Sequence, residues 1–174
     1  IVNILNKFGF TKRKTQLVDL NSYDYIFTFV RNPYDRLLSR YMHLKSYFID
    51  VQERKKLPDV LKIGPVIRPT LRKFFNHYNL EFEEDNFTFP RFVRYANKFN
   101  DAHWTPQVIK FKQQVKSLDK IDFIGKVENL QHDFNTVCDK IGIPHQQLRN
   151  INNTIHEHYS KYYDDDTRQI VTKM

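Results

Sequence analysis

Arg31 and Ser39 are two side chains whose types and spacing suit the binding of an anion. They lie eight residues apart in FTFVRNPYDRLLSRY, residues 27–41, where an apolar run stops at Arg-Asn-Pro and a helical pattern begins at once. A planar guanidinium suits bidentate contact with a phosphate. Ser39 lies about 9 Å further along the predicted helix, at ~1.5 Å per residue from Pro33, so a phosphate held by both residues would rest beside the helix. The alternative is that Arg31 pairs with Asp35 and that Ser39 faces solvent.

A predicted strand and helix position these two side chains. Residues 24–30, DYIFTFV, are apolar, β-branched and aromatic, which suits a strand covered on both faces in a parallel sheet. Asn32 is the expected N-cap and Pro33 the first helical residue. Residues at helical spacing follow: Leu37, Leu38, Tyr41, Met42, Lys45 and Phe48. Ligands bind at the carboxyl ends of strands in open parallel sheets, so this turn is a candidate site.

A second strand and helix follow later in the chain. IDFIG, residues 121–125, predicts a strand, and residues 129–141 predict an amphipathic helix that Gly142 ends. The inward residues of that helix are expected to be Leu130, Phe134, Val137, Cys138 and Ile141. Strand–helix followed by strand–helix predicts an α/β fold with a parallel sheet in a single domain.

The remaining stretches give further helices and two irregular segments. Helices are predicted at 71–78, at 90–99 and from Asp166 to the end of the chain. Thr105-Pro106 could start another helix, or extended structure could follow. The inward residues of such a helix would be Val108, Phe111, Val115 and Leu118. Residues 50–69 are predicted to be a surface excursion, and EFEED, residues 81–85, a solvated acidic turn.

The composition favours a globular domain with an anionic partner. The 174 residues are 40% hydrophobic and carry a net charge of +8, and residues 90–120 hold seven Lys and Arg against two Asp. A basic surface favours nucleotides, sulfated or carboxylated glycans, nucleic acid or acidic membrane, although many basic domains are merely soluble. Cys138 alone permits neither an intrachain disulfide nor a cysteine-based zinc site. No apolar run approaches the ~18–20 residues of a membrane span.

Four stretches together resemble the sulfotransferases that use 3′-phosphoadenosine 5′-phosphosulfate (PAPS), in particular the carbohydrate (Golgi-type) branch and its bacterial relatives. FVRNPYDRLLSRY resembles their 3′-phosphate motif, in which Arg-(Asn/Asp)-Pro precedes a serine. FVRYANKFNDAHWTPQ is similar to a Phe-rich helix followed by His-Trp-x-Pro-Gln. IDFIGKVENLQHDF resembles the segment D-x-I-G-(K/R)-x-E-x-L-x-x-D. HYSKYYDDDTRQIV resembles a tyrosine-rich lead into the C-terminal helix. The likeness spans residues 23–174.

The resemblance implies a fold and a donor site. The fold is a P-loop-NTPase-like parallel sheet flanked by helices, the sulfotransferase fold. Arg31 and Ser39 bind the 3′-phosphate of PAPS, while Asn32 and Pro33 shape the turn. Two further residues extend this set: Arg36 adds charge or pairs with Asp35 or Glu128, and Glu128 itself lies in a segment that passes near the adenine. Val127 stands where some relatives have an aromatic residue.

The resemblance also implies an acceptor side. His103 could take the proton of an acceptor hydroxyl during transfer; the alternative is that His103 caps a turn and Trp104 belongs to the core. The implied reaction moves a sulfuryl group from PAPS to a carbohydrate hydroxyl and leaves adenosine 3′,5′-bisphosphate, with no metal. The basic stretch 90–120 could hold an anionic glycan acceptor, and no nucleic-acid partner is expected.

The N-terminal stretch departs from the family pattern. KFGFT, residues 7–11, fits the loop Lys-x-(Gly/Ala)-x-(Thr/Ser) that holds the 5′-phosphosulfate, but only 24 positions separate Lys7 from Arg31. The expectation is that the true loop precedes Ile1, so that residues 1–174 form a partial sulfotransferase domain with little activity alone. Any membrane anchor would also lie upstream. The location would be the Golgi lumen in a eukaryote and the cytoplasm in a bacterium.

Two rival functions make different predictions. A non-catalytic basic module that binds glycosaminoglycan or nucleic acid would place stacking aromatics beside Lys and Arg on one sheet face. A P-loop kinase relative would need G-x-x-x-x-G-K-(S/T), which the sequence lacks.

Overall fold

The computed structural model describes Leu5 and residues 24–55, 69–114, 118–148 and 156–174. These residues belong to two compact units. One contains the chain up to Asn32 and residues 105–153, and the other contains Pro33–Trp104 and Thr154–Met174. KFGFT lies outside the described residues, and so does most of the predicted excursion at 50–69.

The first unit is built on two parallel strands, β1 (Phe27–Val30) and β2 (Phe123–Lys126), which confirms the predicted parallel pairing. The described residues of this unit include the helices α4 (Gln107–Gln114) and α5 (Leu130–Ile141). One face of this sheet carries phenylalanines that pack against the buried side of α5: Phe27 and Phe29 of β1 and Phe123 of β2. β1 is half-buried along its length, so the prediction of a strand covered on both faces is not met among the described residues.

The second unit is helical. It contains α1 (Pro33–Lys55), α2 (Pro69–Tyr78), α3 (Phe89–Lys98) and α6 (Asp165–Lys173). Its core is unusually aromatic: Phe87 alone lies 4.9 Å from both Tyr41 and Phe74, measured between ring centroids. Such close aromatic pairs contribute about 0.5–1.5 kcal/mol beyond their buried area.

Local sequence signals predicted the start of α1 and the end of α5 correctly. α1 begins at Pro33, as predicted from Asn-Pro, with Asp35 in its first turn. α5 ends at Gly142, whose φ of 73° lies in the left-handed region that glycine adopts without strain. Cys138 is fully buried in the core, as predicted. Among the helices that the structure describes, none has both the length and the apolar character needed to cross a membrane.

Three predictions about local structure were wrong. α1 continues to Lys55, into the stretch predicted to be irregular, because the first helix breaker is Pro58. Val108 on α4 is 47% exposed and does not face the core. Phe82 in the acidic turn is half-buried and stacks on Phe48 at 4.8 Å, since an aromatic side chain gains more by joining the core than by facing water.

Candidate functional site

The backbone of Arg31 is held at the carboxyl end of β1 by one side chain. The Arg31 N–H donates to Oε1 of Gln107 at 3.1 Å, and Nε2 of Gln107 donates to the Arg31 carbonyl at 2.8 Å. The amide thus satisfies both backbone groups of the residue after the strand, as a neighbouring strand would. Gln107, the first residue of α4, is the glutamine of His-Trp-x-Pro-Gln. The sequence assigned it no role.

Three carboxylates of the segment IDFIGKVENLQHDF accept backbone N–H groups of the same unit. Asp122 accepts from Ile26 at 2.7 Å, at the entrance to β1. Glu128 accepts from Asn32 at 2.7 Å, in the turn after β1. In a separate contact, Asp133 accepts from the Lys126 N–H at 2.6 Å, at the end of β2. The acids of this segment therefore fix both strands, and charged acceptors make these hydrogen bonds stronger than neutral ones.

Gly125 in the same segment is required by packing. A Cβ atom at this position would lie 2.5 Å from Cε1 and 2.7 Å from Cδ1 of Phe29, the residue opposite it in the β1–β2 register. Such distances are far inside van der Waals contact, so any side chain would displace the Phe29 ring. The absence of a side chain at Gly125 therefore leaves room for the Phe29 ring against β2, two residues before Arg31.

The first turns of α1 carry three of the predicted residues in the second unit. Pro33 opens the helix and Ser39 is half-buried on it. Nη2 of Arg36 donates to the carbonyl of Ala102 at 3.2 Å, which attaches the helix to the turn that carries His103. Arg36 and His103 are therefore brought into one neighbourhood, a link that the sequence did not predict.

His103 forms a hydrogen-bonded pair with Asp101. Oδ1 of Asp101 lies 2.6 Å from Nδ1 of His103 and also accepts the His103 backbone N–H at 2.8 Å. Partial burial acts to raise the pKa of Asp101, but the backbone and ring hydrogen bonds from His103 outweigh it and lower that pKa below its usual value of 3.8. An ionised carboxylate only accepts hydrogen bonds, so Nδ1 of His103 is the donor in this contact.

Trp104 belongs to the core of the second unit, which was the alternative reading of this residue. It is 7% exposed, and its Nε1 donates to the carbonyl of Phe99 at 2.7 Å. Its ring lies edge-on to Phe92 at 5.5 Å. The buried indole fixes the end of α3 to the turn at 101–104, while His103 stays about half exposed.

A cavity of about 220 Å³ lies where the tyrosine-rich segment meets the start of α1. Its lining consists of Tyr34, Tyr159, Ser160, Tyr163 and Arg168. The Tyr163 hydroxyl donates to the Tyr34 carbonyl at 2.9 Å, and the Tyr34 hydroxyl lies 2.7 Å from Oγ1 of Thr172. Burial raises the pKa of Tyr163, so its hydroxyl stays protonated as a structural donor. The stretches FVRNPYDRLLSRY and HYSKYYDDDTRQIV therefore pack on each other at this cavity.

The predicted site residues fall into two groups. Arg31, Asn32 and Glu128 belong to the first unit, where Glu128 and Asn32 are directly bonded. Pro33, Arg36, Ser39 and His103 belong to the second. The shared phosphate contact of Arg31 and Ser39 stays a prediction. Asp101 and Gln107 were missed; the spacing Asp-x-His is the one sequence signal that could have found Asp101. Among the described residues no cluster of His, Cys, Asp and Glu could hold a metal ion.

Comparisons with known proteins agree with the four sequence stretches. An uncharacterized protein of Archaeoglobus fulgidus is 26% identical over 140 residues, which cover 78% of this chain and 82% of that protein. No solved structure matches. A family model described as "Sulfotransferase family" matches residues 2–174. The chain therefore belongs to the sulfotransferase family.

Proposed function

We propose that this sulfotransferase moves a sulfuryl group from PAPS to a hydroxyl of a carbohydrate acceptor. The observation that carries the proposal is the turn after β1, where Gln107 and Glu128 hold the backbone of Arg31 and Asn32 by three hydrogen bonds. A site that must recognise a phosphate needs its arginine on a rigid support, because a misplaced donor loses much of its binding energy.

The donor side requires two groups of suitable chemistry for the 3′-phosphate. The guanidinium of Arg31 offers a planar pair of donors at the end of a parallel strand, and the hydroxyl of Ser39 offers one more from α1. The N–H of Asn32 donates to Glu128, so the Asn32 backbone shapes the turn beside the proposed 3′-phosphate site. Glu128 lies in the segment that, by the family resemblance, passes near the adenine.

The acceptor side requires a base near a hydroxyl. In the proposed reaction the bond from sulfur to the phosphate oxygen of PAPS breaks while a bond from sulfur to the acceptor oxygen forms. Nε2 of His103 takes the hydroxyl proton, and Asp101 stabilises the imidazolium that results. Arg36 keeps the turn of His103 on α1.

The rival proposal of a nucleic-acid module finds less support. The aromatic rings on the described strands, Phe27, Phe29 and Phe123, pack against the core of α5. Bases would need such rings on an open surface beside cations. We therefore favour the catalytic function over a basic binding module.

Substitution of Arg31 tests the donor site. We expect Arg31→Ala to weaken binding of adenosine 3′,5′-bisphosphate by ~1.5–3 kcal/mol, the range for charge-assisted hydrogen bonds. Binding of 5′-AMP, which lacks the 3′-phosphate, should change little. Titration calorimetry with both nucleotides measures this, and Lys140→Ala, an exposed charge on α5, serves as the control. Equal losses for both nucleotides would show that Arg31 supports the fold and does not bind the 3′-phosphate.

A further inference from the structure

The side of α1 that carries Arg36 also carries Arg40, four residues further along the helix. Residues four apart lie on the same face of a helix, and their side chains lean toward its N-terminus. Nη2 of Arg36 donates to the carbonyl of Ala102, so this face of α1 lies against the turn at 101–104. Arg40 therefore stands one helical turn further along the same contact. Neither the sequence resemblance nor the proposed reaction assigns it a role.

The guanidinium of Arg40 is held inside the second unit. Its Nε atom is buried, and its Nη2 donates to Oγ1 of Thr70, the second residue of α2, at 3.5 Å. A contact of that length with a neutral hydroxyl is near the outer limit for a hydrogen bond. It does not by itself offset the cost of taking a positive charge out of water, so a nearby carboxylate is expected to act on Arg40.

Asp101 is that carboxylate. Its side chain is 27% exposed, and Oδ1 accepts both the backbone N–H and the ring Nδ1 of His103. Partial burial acts to raise the pKa of Asp101, while the hydrogen bonds and charge of His103, and then the charge of Arg40, lower it. On α3, burial and then the charge of Asp101 raise the pKa of Tyr95, so that ring stays neutral. The positive charge that acts on Asp101 thus comes from its own turn and from α1.

We infer that Arg40 is a positioning residue that acts through Asp101: from α1 it holds the Asp101 carboxylate ionised and in the orientation that receives Nδ1 of His103. The inference rests on the proposed function for the part that His103 plays in the reaction, but the arrangement itself requires no substrate. A carboxylate that turned toward water would release the ring, and a cation fixed on a helix opposes that movement. Arg36 meanwhile holds the backbone of the same turn at Ala102.

The alternative is that Arg40 only joins α1 to α2 through Thr70. The two roles depend on different properties of the side chain. A structural link needs the bond to the Thr70 hydroxyl, whereas the positioning of Asp101 needs the positive charge. Lysine at position 40 would keep the charge and lose the planar set of donors. Valine at position 70 would remove the hydroxyl and leave Arg40 in place.

Three variants and a control separate these roles. Arg40→Met removes the charge and keeps the apolar stem, Arg40→Lys keeps the charge, and Thr70→Val removes the hydroxyl contact. Arg72→Met removes an exposed charge from α2 of the same unit and is the control. With no substrate present, ¹³C NMR follows the titration of the Asp101 carboxyl, and ¹⁵N NMR reports the tautomer of His103 at a pH where its ring is neutral. The turnover of sulfuryl transfer is measured separately, and thermal unfolding checks that each variant is folded.

Arg40→Met should raise the pKa of Asp101, because a stabilising positive charge is lost, and should let the second tautomer of His103 appear. Turnover should fall by about threefold to tenfold, less than the ~10²–10⁴-fold that a general base itself contributes. Arg40→Lys and Thr70→Val should keep most of the turnover and the original tautomer, and Arg72→Met should change neither.

An unchanged Asp101 titration in Arg40→Met would overturn the inference, as would equal defects in Arg40→Met and Thr70→Val. If His103→Ala leaves sulfuryl transfer intact while the NMR results hold, the proposed chemistry of the acceptor side fails and the role of Arg40 stands.

Discussion

At the scale of single residues, the contact between His103 and Asp101 is the one on which the proposed acceptor side depends. The 2.6 Å contact with Asp101 engages Nδ1 of His103 and holds the ring in one orientation, which leaves Nε2 for the proposed substrate. The chain contains a comparable pair elsewhere, with Nε2 of His145 2.7 Å from Oδ1 of Asp139. The second pair contacts the opposite ring nitrogen and lies on the exposed end of α5, so it provides a matched comparison.

Asp101→Asn should lower the turnover of sulfuryl transfer by about tenfold or more, because an amide no longer fixes the tautomer of His103, the proposed general base. Such a base typically contributes about 10²–10⁴-fold. ¹⁵N NMR of the His103 ring should report the change of tautomer even without substrate. Asp101→Glu should recover part of the activity, and Asp139→Asn should leave turnover unchanged. An unaltered His103 tautomer in Asp101→Asn would contradict the assignment.

At the scale of secondary-structure elements, side-chain hydrogen bonds to backbone groups join the strands to distant parts of the sequence. Gln107 bridges the start of α4 to the end of β1, and Gln131 makes the same kind of bridge from α5 to the residues that follow it. Gln131 accepts from the Leu148 N–H at 2.8 Å and donates to the Gln146 carbonyl at 3.0 Å. Each amide accepts one backbone N–H and donates to one backbone carbonyl, and Gln131 also donates to Oδ1 of Asn135 at 2.9 Å. Only Gln107 lies beside the proposed donor site.

Gln107→Ala should therefore weaken binding of adenosine 3′,5′-bisphosphate, although Gln107 itself is not expected to touch the ligand. Both backbone groups of Arg31 lose their partner, and each lost hydrogen bond costs about 0.5–1.5 kcal/mol. Gln131→Ala should lower the free energy of unfolding by a similar amount and leave the nucleotide affinity unchanged. Chemical denaturation and titration calorimetry on both variants separate the two effects. Equal nucleotide affinity in both variants would mean that Gln107 is only structural.

At the scale of the whole molecule, the sequence predicted elements that are defined by neighbouring residues. The start of α1 at Pro33 and the end of α5 at Gly142 follow from local backbone preferences. The bond from Gln107 to Arg31 spans 76 positions, and no local pattern indicates such a partner. The prediction that Val108 faces the core was wrong for a related reason. Helical spacing identifies a face of a helix, but only packing determines whether that face is buried.

The described residues of the two units form buried clusters of very different size. Among the described residues the second unit buries seventeen apolar side chains in one cluster, whereas the first buries Phe134, Val137 and Cys138. Buried apolar area is the main source of stability, so the smaller core gives less resistance to local opening. We expect amides of α5 and β2 to exchange hydrogen faster than those in the middle of α1 and in α3.

Two valines that are completely buried allow this expectation to be tested within one chain. Val137 lies on α5 and Val93 on α3, and both have no exposed surface. Replacing either by alanine should destabilise its surroundings by roughly 0.5–3 kcal/mol, the usual range for single substitutions. Hydrogen exchange read by mass spectrometry should show faster exchange in α5 and β2 for Val137→Ala, and in α1 and α3 for Val93→Ala. If either substitution instead accelerates exchange equally in all these elements, the chain opens as the single cooperative domain that the sequence predicts, and the difference in core size does not produce separate stabilities.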